Sequence, residues 1–278
     1  MNNRPTRLPP ALRVPLAASA LALTAHVAPA GTWLPGPRRR CLPALAGLGH
    51  PRHIALTFDD GPDPRSTPHF LRMLDQLSAR ATFFVLGESL LRHPELGRDI
   101  VGRGHELAVH GWTHSRPWLP TVVRDTREVS RAAEAVQRIS GVRPLWYRPP
   151  YGILTGGRWT AALRAGLRPV LWSAWGRDWT EGATPEGVLA TVRSGLRGGG
   201  TVLLHDADLS GSGRWRPALA MLPDLVSGLR AEGLSVGPLV DHGLPPLRRA
   251  GRARDPDGDN PLREEQRTPP LPPEERPG

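Results

Sequence analysis

The chain has 278 residues, which suffice for one large domain or two small ones with a sizeable core. Its formal net charge is +10, and all 36 basic residues are arginines, scattered along the chain except at 38–40 and 248–254. Because no nucleic-acid-binding motif accompanies them, they indicate a solvated basic surface, and we expect no nucleic-acid partner. Cys41 is the only cysteine, which excludes an internal disulfide and a zinc site built from cysteines.

The first thirty residues are typical of a secretory signal peptide. A basic, Pro-rich start is followed by an apolar run at 14–25 and by the small residues at 28–30. We therefore predict cleavage after Ala30 and a secreted or cell-envelope location. An uncleaved membrane anchor at 1–30 and a plain N-terminal extension remain open.

Residues 31–50 form a Pro-, Gly- and Arg-rich connector in which Trp33 and Leu34 are possible contacts to the body. From residue 51 to 244, strand-like and helix-like patterns alternate. The strands are expected at 54–58, 81–86, 105–110, 145–147, 168–173, 201–205 and 234–236. The helices are expected at 67–77 (with Ser66 or Thr67 as cap), 88–102 (interrupted by Pro94), 123–140, 158–165, 185–196 and 217–231.

Repeated strand–helix units of this kind predict an α/β fold, a distorted (β/α) barrel of about seven parallel strands with helices outside. One domain, 51–244, accounts for all of them. The remaining stretch, 245–278, is rich in Arg, Asp, Glu and Pro and is expected to be a disordered tail.

Two adjacent carboxylates, Asp59 and Asp60, end the first apolar strand, and Gly-Pro then breaks the chain. Neighbouring side chains on a strand point to opposite faces, so the two acids are expected to do different work. One can bind a metal while the other handles a proton. An acidic turn that caps the next helix is the alternative.

Two histidines, His110 and His114, follow the third strand, with Gly and Trp between them. Two imidazoles and a carboxylate form a metal site that leaves positions open for water and substrate, and Asp60 is the natural third ligand. A surface pair of histidines would explain the spacing equally simply. His105, on the same strand, is expected to be structural.

Two loops carry further polar and aromatic residues. At 147–152, prolines and a glycine predict a rigid loop that exposes the backbone N–H of Tyr151, and Arg148 could pair with a site carboxylate. At 172–179, tryptophans could stack on sugar rings or belong to the core, and Asp178 could orient a histidine.

His205 is a further candidate for the site. It ends a buried apolar strand, where it could transfer protons or be a core histidine with its hydrogen bonds satisfied.

Five of these stretches, in this order, resemble the motifs of the polysaccharide deacetylase family with the NodB homology domain, carbohydrate esterase family 4. The stretches are 54–63, 110–114, 147–152, 172–179 and 203–206. The resemblance covers about residues 52–240 and implies the barrel fold predicted above. One departure is Gly111, which stands where the family usually has Ser or Thr.

The resemblance also implies a role for each matching residue. Asp59 would be the catalytic base and His205 the general acid. Asp60, His110 and His114 would bind a divalent metal, usually zinc, with cobalt and nickel also known. Arg148 would support Asp59, and Asp178 would be the partner of His205. Tyr151 would donate its backbone N–H to the oxyanion, and Trp179 and Leu203 would line the acetyl pocket.

The function that follows is metal-dependent removal of N-acetyl groups from amino sugars of a glycan, either peptidoglycan or a chitin-like polymer. An O-acetyl esterase acting on a xylan-like polymer, a catalytically inactive glycan-binding barrel, and an intracellular deacetylase of a small amino sugar are the alternatives. The expected partner is therefore a glycan, with cell-envelope association through the N-terminus.

Overall fold

The protein is described by a computed structural model that covers residues 10–116, 122–209 and 211–245. Its strands pair in parallel in the order β5-β4-β3-β2-β1-β7-β6, and β8 pairs with the start of β1. The strands are β1 (His53–Asp59), β2 (Thr82–Leu86), β3 (Glu106–Gly111), β4 (Trp146–Tyr147), β5 (Arg168–Pro169), β6 (Ala174–Trp175), β7 (Thr201–His205) and β8 (Ser235–Gly237). The predicted distorted barrel of about seven parallel strands is confirmed.

From β1 onward, helices separate most of the strands, as the sequence predicts. The helices are α1 (Pro10–Val27), α2 (Pro35–Cys41), α3 (Thr67–Gln76), α4 (Gly87–Arg92), α5 (Pro94–Gly102), α6 (Val122–Ser140), α7 (Gly156–Arg164), α8 (Pro185–Gly195) and α9 (Arg216–Ala231). Of these, α1 and α2 lie before β1, where no helix was predicted. The helix expected at 88–102 is divided before Pro94, which begins α5 because a proline has no N–H to continue the hydrogen bonding of α4.

The core lies on both faces of the central strands. Every residue of β1 and of β2 is buried, as expected for strands of a parallel sheet that helices cover. Phe58 of β1 contacts Phe70 of α3 and Phe83 of β2, with ring centroids 5.0 and 5.1 Å apart. These aromatic contacts hold the strand that carries the two acids.

The predicted strand at 168–173 is wrong as a single strand. Within this stretch only β5 pairs with β4. The chain then leaves β4 and leads to β6, at the other end of the strand order. Val170 N–H donates to Tyr147 O (2.9 Å), Leu171 N–H donates to Leu45 O (2.7 Å), and Ser173 N–H donates to Thr201 O (3.0 Å). Because successive N–H groups choose different partners, the ladder cannot continue, and β6 starts afresh beside β7.

The predicted side-chain cap of α3 is also wrong. Ser66 is the residue before the helix, but its hydroxyl donates to Asp206 O (2.5 Å). The Thr67 hydroxyl donates to Asp206 Oδ2 (2.5 Å) and accepts from the Asp63 N–H (2.9 Å). Both hydroxyls therefore tie the loop after β1 to the end of β7. Burial raises the pKa of Asp206 to about 7.

The N-terminal residues pack on the body. The carbonyl of Ala25 and the ring of His26 lie against Gly156 and Gly157 at the start of α7, where a larger residue would clash with them. Among the described helices, none is long and apolar enough to cross a membrane. The signal peptide at 1–30 stays a prediction, and the tail predicted at 245–278 lies, beyond its first residue, outside the described residues.

Candidate functional site

The predicted site residues meet at the carboxyl ends of the strands, where parallel α/β barrels carry their active sites. Asp59 of β1 and His205 of β7 are register partners on neighbouring strands. A cleft of about 500 Å³ opens above them. Eight of the ten predicted residues line it: Asp59, Asp60, His110, His114, Tyr151, Trp179, Leu203 and His205. The other two, Arg148 and Asp178, are buried and bind Asp59 and His205.

Asp60, His110 and His114 form a cluster whose ligand atoms all lie within 4.8 Å of one another. Asp60 Oδ1 lies 3.2 Å from His110 Nε2 and 3.5 Å from His114 Nε2. His110 Nδ1 lies 2.9 Å from the carbonyl oxygen of Arg148, so Nδ1 carries a proton that it donates there. In the form that binds a metal, His110 would turn the lone pair of Nε2 toward the space beside Asp60, because Nδ1 carries the proton.

These three residues fit a divalent metal. Within the described ranges, Asp60 Oδ1 is a buried oxygen that accepts no well-directed hydrogen bond. Burial raises the pKa of Asp60, but the histidines around it lower it to about 2. Burial lowers the pKa of His114 to about 4, against the opposing charge of Asp60. One carboxylate and neutral imidazoles are what Zn²⁺ and similar ions bind.

The loop that carries the histidines is held without the hydroxyl expected at position 111. Gly111 has φ 140°, a backbone conformation that strains residues with a side chain. The ring of Trp112 packs on Gly87 and lies 3.5 Å under the Arg131 guanidinium. The Trp112 carbonyl also accepts from the Glu88 N–H (3.0 Å). The contacts of Trp112 therefore hold this loop, although position 111 has no hydroxyl.

Arg148 holds Asp59 in a buried ion pair. The guanidinium is fully buried and donates from Nη1 to Asp59 Oδ1 (2.7 Å) and Thr57 Oγ1 (2.8 Å). It also donates to the carbonyls of Leu171 (2.9 Å) and Val170 (3.4 Å). Its charge is paired and each of its three nitrogens donates at least one hydrogen bond, which offsets the cost of burying the guanidinium. Asp59 keeps its second oxygen, Oδ2, free of Arg148.

Asp178 holds His205 in a protonated state. The carboxylate accepts from the His205 backbone N–H (2.8 Å) and contacts Nδ1 of the ring (3.1 Å). Burial would lower the pKa of His205, but the charge and hydrogen bond of Asp178, with the charges of Asp60 and Asp59, raise it to about 10. The imidazolium therefore keeps its proton at neutral pH, and Nε2 remains available to a reacting group.

Aromatic residues shape the rest of the cleft. Trp179 lies edge-on to His205, with ring centroids 5.1 Å apart, and Leu203 is buried beside them on β7. Tyr151 has φ 61° in a tight turn and is half-exposed, and its ring contacts His114 (4.3 Å between centroids). Its backbone role as an oxyanion donor stays a prediction.

Some residues that line the cleft were not predicted from the sequence. Trp33 lines the cleft, although it was predicted only to contact the body, and Ile153 and Arg177 also line it. Arg177 is adjacent to Asp178 and could have been found from that motif. No local pattern distinguishes Trp33, because its place depends on contacts distant in sequence.

Comparisons with known proteins identify the family of the chain. A family model described as polysaccharide deacetylase matches residues 47–170. A chitooligosaccharide deacetylase of Bradyrhizobium sp. (strain ANU 289) is 36% identical over 200 residues, covering 68% of this chain and 89% of the relative. A peptidoglycan-N-acetylglucosamine deacetylase of Bacillus cereus is 34% identical over 177 residues, covering 62% of this chain and 81% of the relative.

A solved structure shares the fold as well. It is a peptidoglycan N-acetylglucosamine deacetylase in complex with 4-naphthalen-1-yl-N-oxidanyl-benzamide. The TM-score is 0.67 at 27% identity, and the match covers 76% of this chain and 97% of that one. Together with the coverage of the Bradyrhizobium relative, these matches show that the chain belongs to the polysaccharide deacetylase family of hydrolases.

Proposed function

We propose that the chain removes N-acetyl groups from amino sugars of a glycan in a metal-dependent reaction. The observation that carries the proposal is the convergence, in one cleft, of the metal-ligand set at Asp60, His110 and His114 with Asp59 and His205. A buried carboxylate and a protonated imidazole beside such a set are the base and the acid that amide hydrolysis needs.

Asp59 would act as the base. Its Oδ1 accepts a hydrogen bond from Arg148, which orients the carboxylate. Its Oδ2 would take a proton from the water that attacks the acetyl carbonyl. Arg148 would then hold the protonated acid in place through the hydrogen bond to Oδ1.

The metal would be held by Asp60, His110 and His114. When bound, a divalent ion supplies a Lewis acid that polarises the carbonyl and acidifies water. We propose Zn²⁺, because two imidazoles and a carboxylate leave the open coordination of a catalytic zinc site, with Co²⁺ and Ni²⁺ as substitutes. The backbone N–H of Tyr151 would donate to the oxyanion that forms on the substrate.

His205 would act as the acid. The nitrogen of an amide leaves as an amine only when it is protonated, and His205 with a pKa of about 10 carries that proton at neutral pH. Breaking the C–N bond releases acetate and leaves a free amine on the sugar. Trp179 and Leu203 would enclose the methyl group of the acetyl.

The substrate is proposed from the relatives. Their names specify chitooligosaccharide and peptidoglycan N-acetylglucosamine, so we propose a glycan that contains N-acetylglucosamine. The exposed tryptophan-lined cleft supports a polymer over a small metabolite. The signal-peptide pattern at 1–30 supports secretion or a cell-envelope location, where peptidoglycan lies.

The test is acetate release by the full-length protein, with added Zn²⁺, from N-acetylglucosamine oligomers, peptidoglycan and acetylated xylan. We expect acetate from the first two, with an equal amount of new free amine. Release from xylan alone would replace the proposal with an O-acetyl esterase. Binding of the oligomers without any release would indicate an inactive glycan-binding barrel.

A further inference from the structure

The N-terminal segment at 31–41 contributes a residue to the cleft. Trp33 lies outside the stretch that the family model matches, 47–170, yet it lines the cleft together with Asp59 and His205. A cleavage after Ala30 would leave this segment on the mature chain. The segment therefore belongs to the substrate-facing part of the molecule and is more than a connector.

One buried guanidinium holds the segment in place. Arg38 of α2 is 3% exposed. Its Nη1 donates to the carbonyls of Thr32 (2.8 Å) and Trp33 (3.2 Å), and its Nη2 donates to the carbonyl of Trp172 (2.8 Å). Because the same side chain binds both the segment and the barrel loop after β5, it sets the position of Trp33 over the cleft.

Trp33 is the outer end of a row of aromatic rings that starts at the proposed acid. The ring of Trp179 lies 5.1 Å from His205, Trp175 lies 5.4 Å from Trp179, and Trp33 lies 6.3 Å from Trp175, edge to face. Two indoles thus separate Trp33 from His205.

The exposure of Trp33 points to a ligand. Trp33 lines the cleft with 45% of its surface still in water, so part of its apolar surface remains uncovered there. The faces of a pyranose ring carry C–H groups that pack well on an indole.

We infer that Trp33 is a stacking platform for a pyranose ring of the glycan next to the sugar that is deacetylated. Through Trp33, this segment contributes to the binding cleft and determines preference for oligomers over single sugars. The identity of the ligand as a glycan rests on the proposed function.

The test measures binding by calorimetry, so that it does not depend on turnover. The full-length protein and its variants are titrated with an N-acetylglucosamine tetramer and with the single sugar. Trp33→Ala should weaken tetramer binding about tenfold and change binding of the single sugar less, because a single sugar fills only the position that is deacetylated. Trp33→Phe should recover most of the affinity. Leu34→Ala, at the exposed neighbouring position, should bind like wild type.

Arg38→Ala tests the positioning role. It should weaken tetramer binding as Trp33→Ala does, and the double variant should bind no worse than Trp33→Ala alone, because both changes remove the same contact. Should Arg38→Ala not fold, the Trp33 variants still decide the matter.

The outcomes separate this inference from the proposed function. Wild type that binds the tetramer without releasing acetate, with Trp33→Ala binding weakly, would end the proposed function and support the platform. Acetate release by a wild type whose Trp33→Ala variant binds the tetramer equally well would overturn the platform alone. Failure of wild type to bind the tetramer would overturn it as well.

Discussion

Asp59→Asn is expected to lower kcat for N-acetylglucosamine oligomers about 10³-fold, because a carboxamide cannot take a proton from the attacking water. The amide oxygen of Asn can still accept from Arg148, so the fold should survive with some loss of stability from an unpaired buried cation. Metal content should remain that of wild type, because Asp59 is outside the ligand set. Kinetics with acetate detection, together with elemental analysis of the same samples, measure both quantities.

Thr57→Val is the matched control for this change. It removes another hydrogen-bond acceptor of the same Arg148 Nη1 but leaves the carboxylate of Asp59 in place. We expect it to lower kcat less than about tenfold, a modest effect of disturbed positioning. If Asp59→Asn were as active as Thr57→Val, Asp59 would not be the base.

His205→Ala is expected to act differently on two kinds of acetyl bond. An amine leaves only with a proton, so hydrolysis of an N-acetyl sugar should fall about 10³-fold. A nitrophenyl acetate has a leaving group that departs without a proton, and its hydrolysis should fall less than about tenfold. The measurement is the ratio of kcat/KM for the two substrates on one protein sample.

Taking this ratio removes the effect of any unfolded fraction, which matters because the change leaves Asp178 buried without its imidazole partner. Equal losses on amide and ester would contradict the role of His205 as acid to the leaving amine. They would indicate instead that His205 stabilises charge common to both reactions.

Much of the site follows from local sequence because strands of a parallel sheet end at one edge. Asp59, His110 and His205 each stand at the end of a short apolar run, and such runs are buried strands. Once the strands are parallel, these side chains must come together. Their proximity could therefore be predicted without knowing any contact between them.

Other features depend on contacts that no local pattern contains. The strand expected at 168–173 is divided because the Leu171 N–H binds Leu45 O, a partner far along the chain. The Ser66 and Thr67 hydroxyls bind Asp206 instead of capping their own helix. The ring of Trp33 contacts Trp175, which is far along the chain. Each of these partners is distant in sequence, so only the folded structure identifies it.

The amount of metal that activity requires is the most direct test of metal-dependent deacetylation at Asp60, His110 and His114. After treatment with a chelator, the protein should release no acetate from N-acetylglucosamine oligomers, and about one equivalent of Zn²⁺ should restore release. His110→Ala should bind the ion weakly and stay inactive, whereas His69→Ala, an exposed histidine outside the ligand set, should behave as wild type. Full activity after complete metal removal, or stoichiometric tight Zn²⁺ binding by His110→Ala, would contradict the account.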